Sequence, residues 1–217
     1  MGVRRFRPLT SADLELLEEP CGRCTFWEAS LADLVAPPEQ RDGRRVKETW
    51  AEAVTRRWGY CGVAAVQDGE LLGFLTVAPA ALVPRLAAFA TTPVSPDAAV
   101  LVTARVAEPY RGHGLGRQLV QTAAGLLARR DIRALEAIGT HRAGASCVLP
   151  AGWLESVGFA LVRPHPIAPR YRMDLHSGVR WLPGLGAAWE RLTGLVTPPR
   201  PAPEPAGYAP YRAPALR

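Results

Sequence analysis

The feature that most constrains this chain is the stretch Ala98–Arg130, where the apolar run AAVLVTARVA leads into EPYRGHGLG and then the helix-forming GRQLVQTAAGLLARR. Its order is strand, glycine-rich turn, helix. Gly112, Gly114 and Gly116 remove side chains where the backbone must bend, so its N–H groups can approach a ligand closely. Those groups and the positive end of the following helix dipole make a site for an anionic phosphate. A nucleoside-triphosphate loop would end in Gly-Lys-Ser/Thr, whereas here the glycine is followed by Arg117-Gln118. A dinucleotide loop would need a third glycine where Arg117 stands. Glu136 sits about where a ribose-binding acid would be, but the loop falls in mid-chain rather than opening the first βαβ unit. A plain strand-to-helix turn with no ligand remains the alternative.

Arg111-Gly112-His113-Gly114-Leu115-Gly116 has the form R-x-x-G-x-G, and with Val106 and Tyr110 before it resembles motif A of the GCN5-related N-acetyltransferases (GNAT). A second landmark lies downstream. Trp153-Leu154-Glu155-Ser156-Val157-Gly158-Phe159 resembles that family's short helix ending in Gly-Phe. The resemblance implies a mixed α/β fold: a central, mostly antiparallel twisted sheet of about seven strands flanked by helices, with the pyrophosphate turn between the fourth strand and the third helix. It implies acetyl-CoA as cosubstrate, held by Val106, Ala107, Glu108, Arg111, Gly112, His113, Gly114, Leu115, Gly116 and Arg117. It also implies an amine acceptor, a small molecule or a peptide, received between the first two helices and the connection from Pro164 to Pro169.

Amine acetylation needs a base for the amine proton and an acid for the leaving thiolate. In the resemblance the acid is a tyrosine, and the matching position here is Leu154; an asparagine-containing turn found in many relatives is also missing between Gly139 and Pro150. Tyr110 is too close to the phosphate turn to be an obvious substitute, and the direction of Tyr171 is open. Leu135-Glu136-Ala137 looks like the run in ribosomal-protein amino-terminal acetyltransferases, where a glutamate serves as base. An ionised glutamate is costly to bury in an apolar strand, so Glu136 is expected either to act as the base with a raised pKa, or to face solvent or pair with an arginine such as Arg133. His165 is the second catalytic candidate, and His141 and Glu108 are weaker ones.

Cys21-Gly22-Arg23-Cys24 has the spacing of a zinc or dithiol motif, but Cys61 and Cys147 are single and distant in sequence, so reduced thiols beside Phe26 and Trp27 are expected, with zinc or a regulatory disulfide left open. The net charge of +6 comes almost wholly from arginine, Lys47 being the sole lysine. That balance can steer a polyanion such as coenzyme A. The arginines are scattered rather than clustered with aromatics, which argues against a nucleic-acid partner. No uninterrupted apolar run reaches membrane-spanning length and the N-terminus lacks an apolar signal core, so a soluble cytoplasmic protein is expected.

Along the chain, strands are expected at Val3–Leu9, Tyr60–Gln67, Glu70–Val77, Arg133–Ile138, Phe159–Arg163 and Arg170–Leu175, with Asp68-Gly69 turning a hairpin. Helices are expected over 11–19, over 41–58 with a Val46, Trp50, Val54 stripe, over 116–130 and over 151–158. The proline-rich 79–96 segment should be a connection. The acetyltransferase domain implied by the resemblance is expected over residues 1–178, followed by an amphipathic extension over 179–197 and a disordered Pro/Ala-rich tail over 198–217. The extension leaves a homodimer open. An acyl-CoA-binding module without turnover is the rival reading, favoured by Leu154.

Overall fold

A computed structural model describes residues 2–142 and 147–175; the 179–197 extension and the 198–217 tail lie outside the described residues. The order of elements is β1 (Arg5–Pro8), α1 (Ser11–Glu15), α2 (Leu31–Val35), α3 (Gly43–Trp58), β2 (Gly62–Gln67), β3 (Glu70–Pro79), β4 (Ala98–Val106), α4 (Leu115–Ala128), β5 (Ala134–Thr140), β6 (Leu149–Pro150), α5 (Ala151–Val157), β7 (Ala160–Arg163) and β8 (Arg170–Asp174). The strands form one eight-stranded sheet in the order β1-β2-β3-β4-β5-β8-β7, with the two-residue β6 paired to β5. All pairings are antiparallel except β4 with β5 and β5 with β6.

Period-2 alternation divides the apolar residues between two layers. Val63, Ala65, Leu75, Val77, Leu101, Leu135 and Ala137 meet α4 and α5 on one face. Ala64, Phe74, Ala78, Val100, Val102 and Ile138 meet α1 and α3 on the other. The central strands therefore carry buried residues on both faces and read as near-continuous apolar runs.

Local chemistry sets the helix ends. Asp42 accepts from the N–H groups of Arg44 and Arg45 and so starts α3 two residues later than its periodicity suggested. The buried side of α3 consists of Lys47, Trp50, Ala51 and Val54. The first helix stops at Glu15 instead of Glu19. Its Asp13 carboxylate is buried, taking two bonds from Arg7, at 2.5 and 2.6 Å, and two from Thr10. That pairing fastens the N-terminal turn of the helix to β1. The proline-rich connection contains two 3-10 turns, Ala80–Leu82 and Pro84–Ala88. The sheet gains β6 over the expected seven strands because Leu149 and Pro150 run alongside Gly139 and Thr140.

Candidate active site

The site begins where two neighbouring strands part. Parallel pairing of β4 with β5 is confined to Ala98–Val100 against Ala134–Glu136, yet β4 continues to Val106 and β5 to Thr140. Leu101 and Thr103 pair with successive residues of β3, Val77 and Thr76, so Val102 is one extra residue on β4. Such a bulge bends its strand and raises the local twist. Beyond the divergence lies a cleft of about 590 Å³, within the range of small-molecule sites. One wall is Ala104 to Val106 of β4, the other is Leu149 and Pro150 with Trp153 and Val157 of α5, and Leu115 and Leu119 of α4 form the floor.

The glycine turn closes one end of the cleft. Gly112 and Gly114 both have φ of +76°, a region that side chains other than glycine rarely adopt, and a Cβ at either would meet no protein atom within 4 Å. Gly114 is the N-cap of α4 and supplies no side-chain cap. The N–H groups of the first turn of α4 have no intrahelical acceptor, and that turn contains no acidic residue. Arg111, whose Nε donates to the Val106 carbonyl at 3.0 Å, flanks the turn on one side. Arg117, which donates to the Ser156 carbonyl on α5, flanks it on the other. A Cβ on Gly116 would lie 3.1 Å from the Trp153 indole nitrogen, so this glycine allows α5 to approach α4 and form the wall. Glu108 and Tyr110 belong to a 3-10 turn, with the Tyr110 hydroxyl donating to Glu70 at 2.9 Å. Glu108 and His113 are exposed, and neither lines the cleft.

The expected catalytic residues occupy different surroundings. Glu136 points to the α1/α3 face and is fully buried. Arg170 donates to its Oε2 at 2.6 Å and Arg172 to its Oε1 at 3.2 Å, while the Ser95 N–H approaches Oε2 at 3.3 Å. Both oxygens are thus engaged, and Glu136 is absent from the cleft lining. The pairing alternative applies, with Arg170 and Arg172 in place of Arg133. His165 is turned into its own connection. Its Nδ1 accepts from the N–H groups of Ile167 and Ala168 at 3.2 and 3.0 Å, so the neutral ring has its proton on Nε2 and presents no basic lone pair outward. His141 is exposed just past the end of β5.

Leu154 is fully buried in the α4/α5 core. Tyr171 fills the space beside it: a Cβ built on Gly139 would collide with the Tyr171 ring at 2.8 Å and lie 3.1 Å from Leu154. The Tyr171 hydroxyl donates to Glu155 at 3.1 Å. Burial and this bond to a carboxylate push its pKa up.

Several residues of the cleft are not among the expected site residues. Trp153, Leu149 and Pro150 all line the cleft. Trp153 was detectable from spacing, since Trp153, Ser156 and Val157 share one face of a helix at i, i+3 and i+4. Leu149 and Pro150 gave no local signal, because their place depends on the brief pairing with β5.

The sequence model of the acetyltransferase (GNAT) family matches residues 24–146, more than half of the chain. The chain belongs to the GNAT acetyltransferase family. No curated protein sequence matches it. Among solved structures it is similar to the PaiA N-acetyltransferase of Thermoplasma acidophilum in complex with coenzyme A, at 14% identity and a TM-score of 0.53, covering 79% of this chain and 99% of that one. It is also similar to an N-acetyltransferase of Staphylococcus aureus Mu50, at 17% identity and a TM-score of 0.50, covering 80% and 99%. At these identities the likeness is one of GNAT fold. No helix among the described residues is long and apolar enough to cross a membrane.

Proposed function

We propose that this GNAT protein transfers an acetyl group from acetyl-CoA to a primary amine, carried by a small molecule or by a protein chain. The observation that carries the reading is the cleft at the β4/β5 divergence, closed by a turn whose glycine positions are open and whose flanks are Arg111 and Arg117. These features fit a pyrophosphate. Backbone N–H groups from Gly112 to Arg117 would hold it with the α4 dipole, and the arginines supply opposing charge. Ala104 to Val106, the β4 residues along the cleft, offer backbone on which an extended pantetheine arm would align, whereas Ala107 and Glu108 lie outside its lining. Bound there, acetyl-CoA supplies a thioester carbonyl for the amine to attack.

The surroundings of Glu136 and His165 support a route in which the amine reaches the thioester as its free base or loses its proton to water. Glu136 then acts as a positioning residue. Its bonds hold β5, β8 and the Pro93–Asp97 loop together beside the divergence. The second reading, acyl-CoA binding without turnover, is favoured by the burial of Leu154 at the position of the family's acid.

Thiol release from acetyl-CoA, followed over a panel of small amines and peptide amino termini, tests the transfer; calorimetry with acetyl-CoA tests the binding. Release with any amine supports the enzyme. Binding without release across the panel favours the module. Gly114→Val should abolish binding, because it fills the open position and strains the +76° backbone. Equal affinities of parent and Gly114→Val would overturn the placement.

A further inference from the structure

Outside the cleft, two cysteines far apart in sequence meet. The sulfurs of Cys24 and Cys147, 123 positions apart, are 2.9 Å from each other, and both residues are half-buried. The Cys21-x-x-Cys24 motif therefore has its closest sulfur contact across the fold. Cys21 instead receives Arg105 Nη1 at 3.4 Å. The two segments are docked by more than the sulfurs: the Trp27 indole donates to the Cys147 carbonyl at 2.6 Å. Among the described residues no group of three or more His, Cys, Asp or Glu is placed to hold a metal, so the pair has no zinc set around it.

We infer that Cys24 and Cys147 are a redox site, closed by a peroxide into an intramolecular disulfide that staples the 21–29 segment to the strand entering the cleft. A covalent S–S bond is about 2.05 Å long, so the sulfurs need to approach by less than an ångström. One thiolate attacks a peroxide oxygen; the O–O bond breaks, leaving a sulfenic acid and, after proton uptake, water from hydrogen peroxide. The second thiol attacks the sulfenic sulfur, the S–S bond forms, and a second water leaves. Both sulfurs are oxidised and one peroxide is reduced. Burial and the bond to Cys147 push the Cys24 thiol up, which slows the first attack, since the thiolate is the nucleophile; the geometry of the two sulfurs carries the second step. Cys147 is two residues before Leu149, a cleft wall residue, so the staple would restrain the chain leading into that wall.

The full chain, first reduced, is treated with hydrogen peroxide and mapped by mass spectrometry without reduction. The expected result is a peptide pair linked through Cys24 and Cys147, two of the four thiols lost, and a monomer on a non-reducing gel. Because the bond closes a long loop, the melting temperature should rise by several degrees and return with dithiothreitol. Cys147→Ser should lose both the link and the rise. Mapping the unsubstituted chain is decisive whatever that variant's stability: a Cys21–Cys24 link, links only between chains, or four remaining thiols would overturn the inference.

Discussion

Replacing Glu136 by Gln separates a supporting carboxylate from a catalytic base. The substitution keeps the shape but removes the charge facing two guanidinium groups in a fully buried position. The cost differs between the partners. Arg172 keeps Asp97 and Asp174, at 3.0 and 2.7 Å. Among the described residues Arg170 has Glu136 as its carboxylate, retains the Pro93 carbonyl at 2.7 Å, and already carries a buried Nε without a partner. The loss is therefore mainly that of one buried pair, about 3 kcal/mol, at the low end for breaking such pairs. With a urea dependence of about 2 kcal/mol per molar, the midpoint should fall by about 1.5 M. Acetyl transfer by the folded fraction at low temperature should stay within about threefold of the parent, with the same pH profile; loss of a general base would cost about 100-fold or more. An unchanged urea midpoint with a rate loss of that size would refute the positioning argument and return Glu136 to the chemistry.

Three further outcomes follow from local geometry. Gly125 sits inside α4 and a Cβ there meets nothing within 4 Å, so Gly125→Ala should stabilise the fold by about 1 kcal/mol in urea titration. The Tyr60 hydroxyl is buried with no hydrogen-bond partner among the described residues, and burial pushes its pKa far up; Tyr60→Phe should leave stability unchanged or raise it by up to about 1 kcal/mol, read as an equal or higher melting temperature. Burial raises the pKa of Asp13, but bonds from Arg7 and Thr10 outweigh it, so the folded value lies below the ordinary one. Its stabilising share is therefore present above about pH 4 and is lost as pH falls through the folded value. Asp13→Asn should cost about 2 kcal/mol at pH 7, and the gap to the parent should close in urea titrations below pH 4.

Much of the architecture was legible because it is written in short-range patterns. Alternation of apolar residues, the Asp68-Gly69 turn and the spacing of Val46, Trp50 and Val54 act over a few residues, and so does the glycine turn before α4. Strand and helix identities follow from them with errors of a few residues at the ends, where a single cap such as Asp42 decides. The phosphate-binding character proposed for the turn is equally local, since it rests on backbone conformation and the helix start.

What no window of the sequence contains is the surroundings of a side chain. Glu136 in an apolar strand signals a charge under pressure, but whether it faces a substrate or an arginine depends on β8, which lies more than thirty residues later in the chain. His165 is fixed by the way its own connection folds back. Cys24 reads as the partner of Cys21 because they are close in sequence, yet folding sets Cys147 against it. The sequence determined which groups the chain possesses and which elements carry them. Tertiary packing decided which of them meet, because a buried charge or thiol takes its chemistry from atoms within a few ångströms, and most of those belong to other elements.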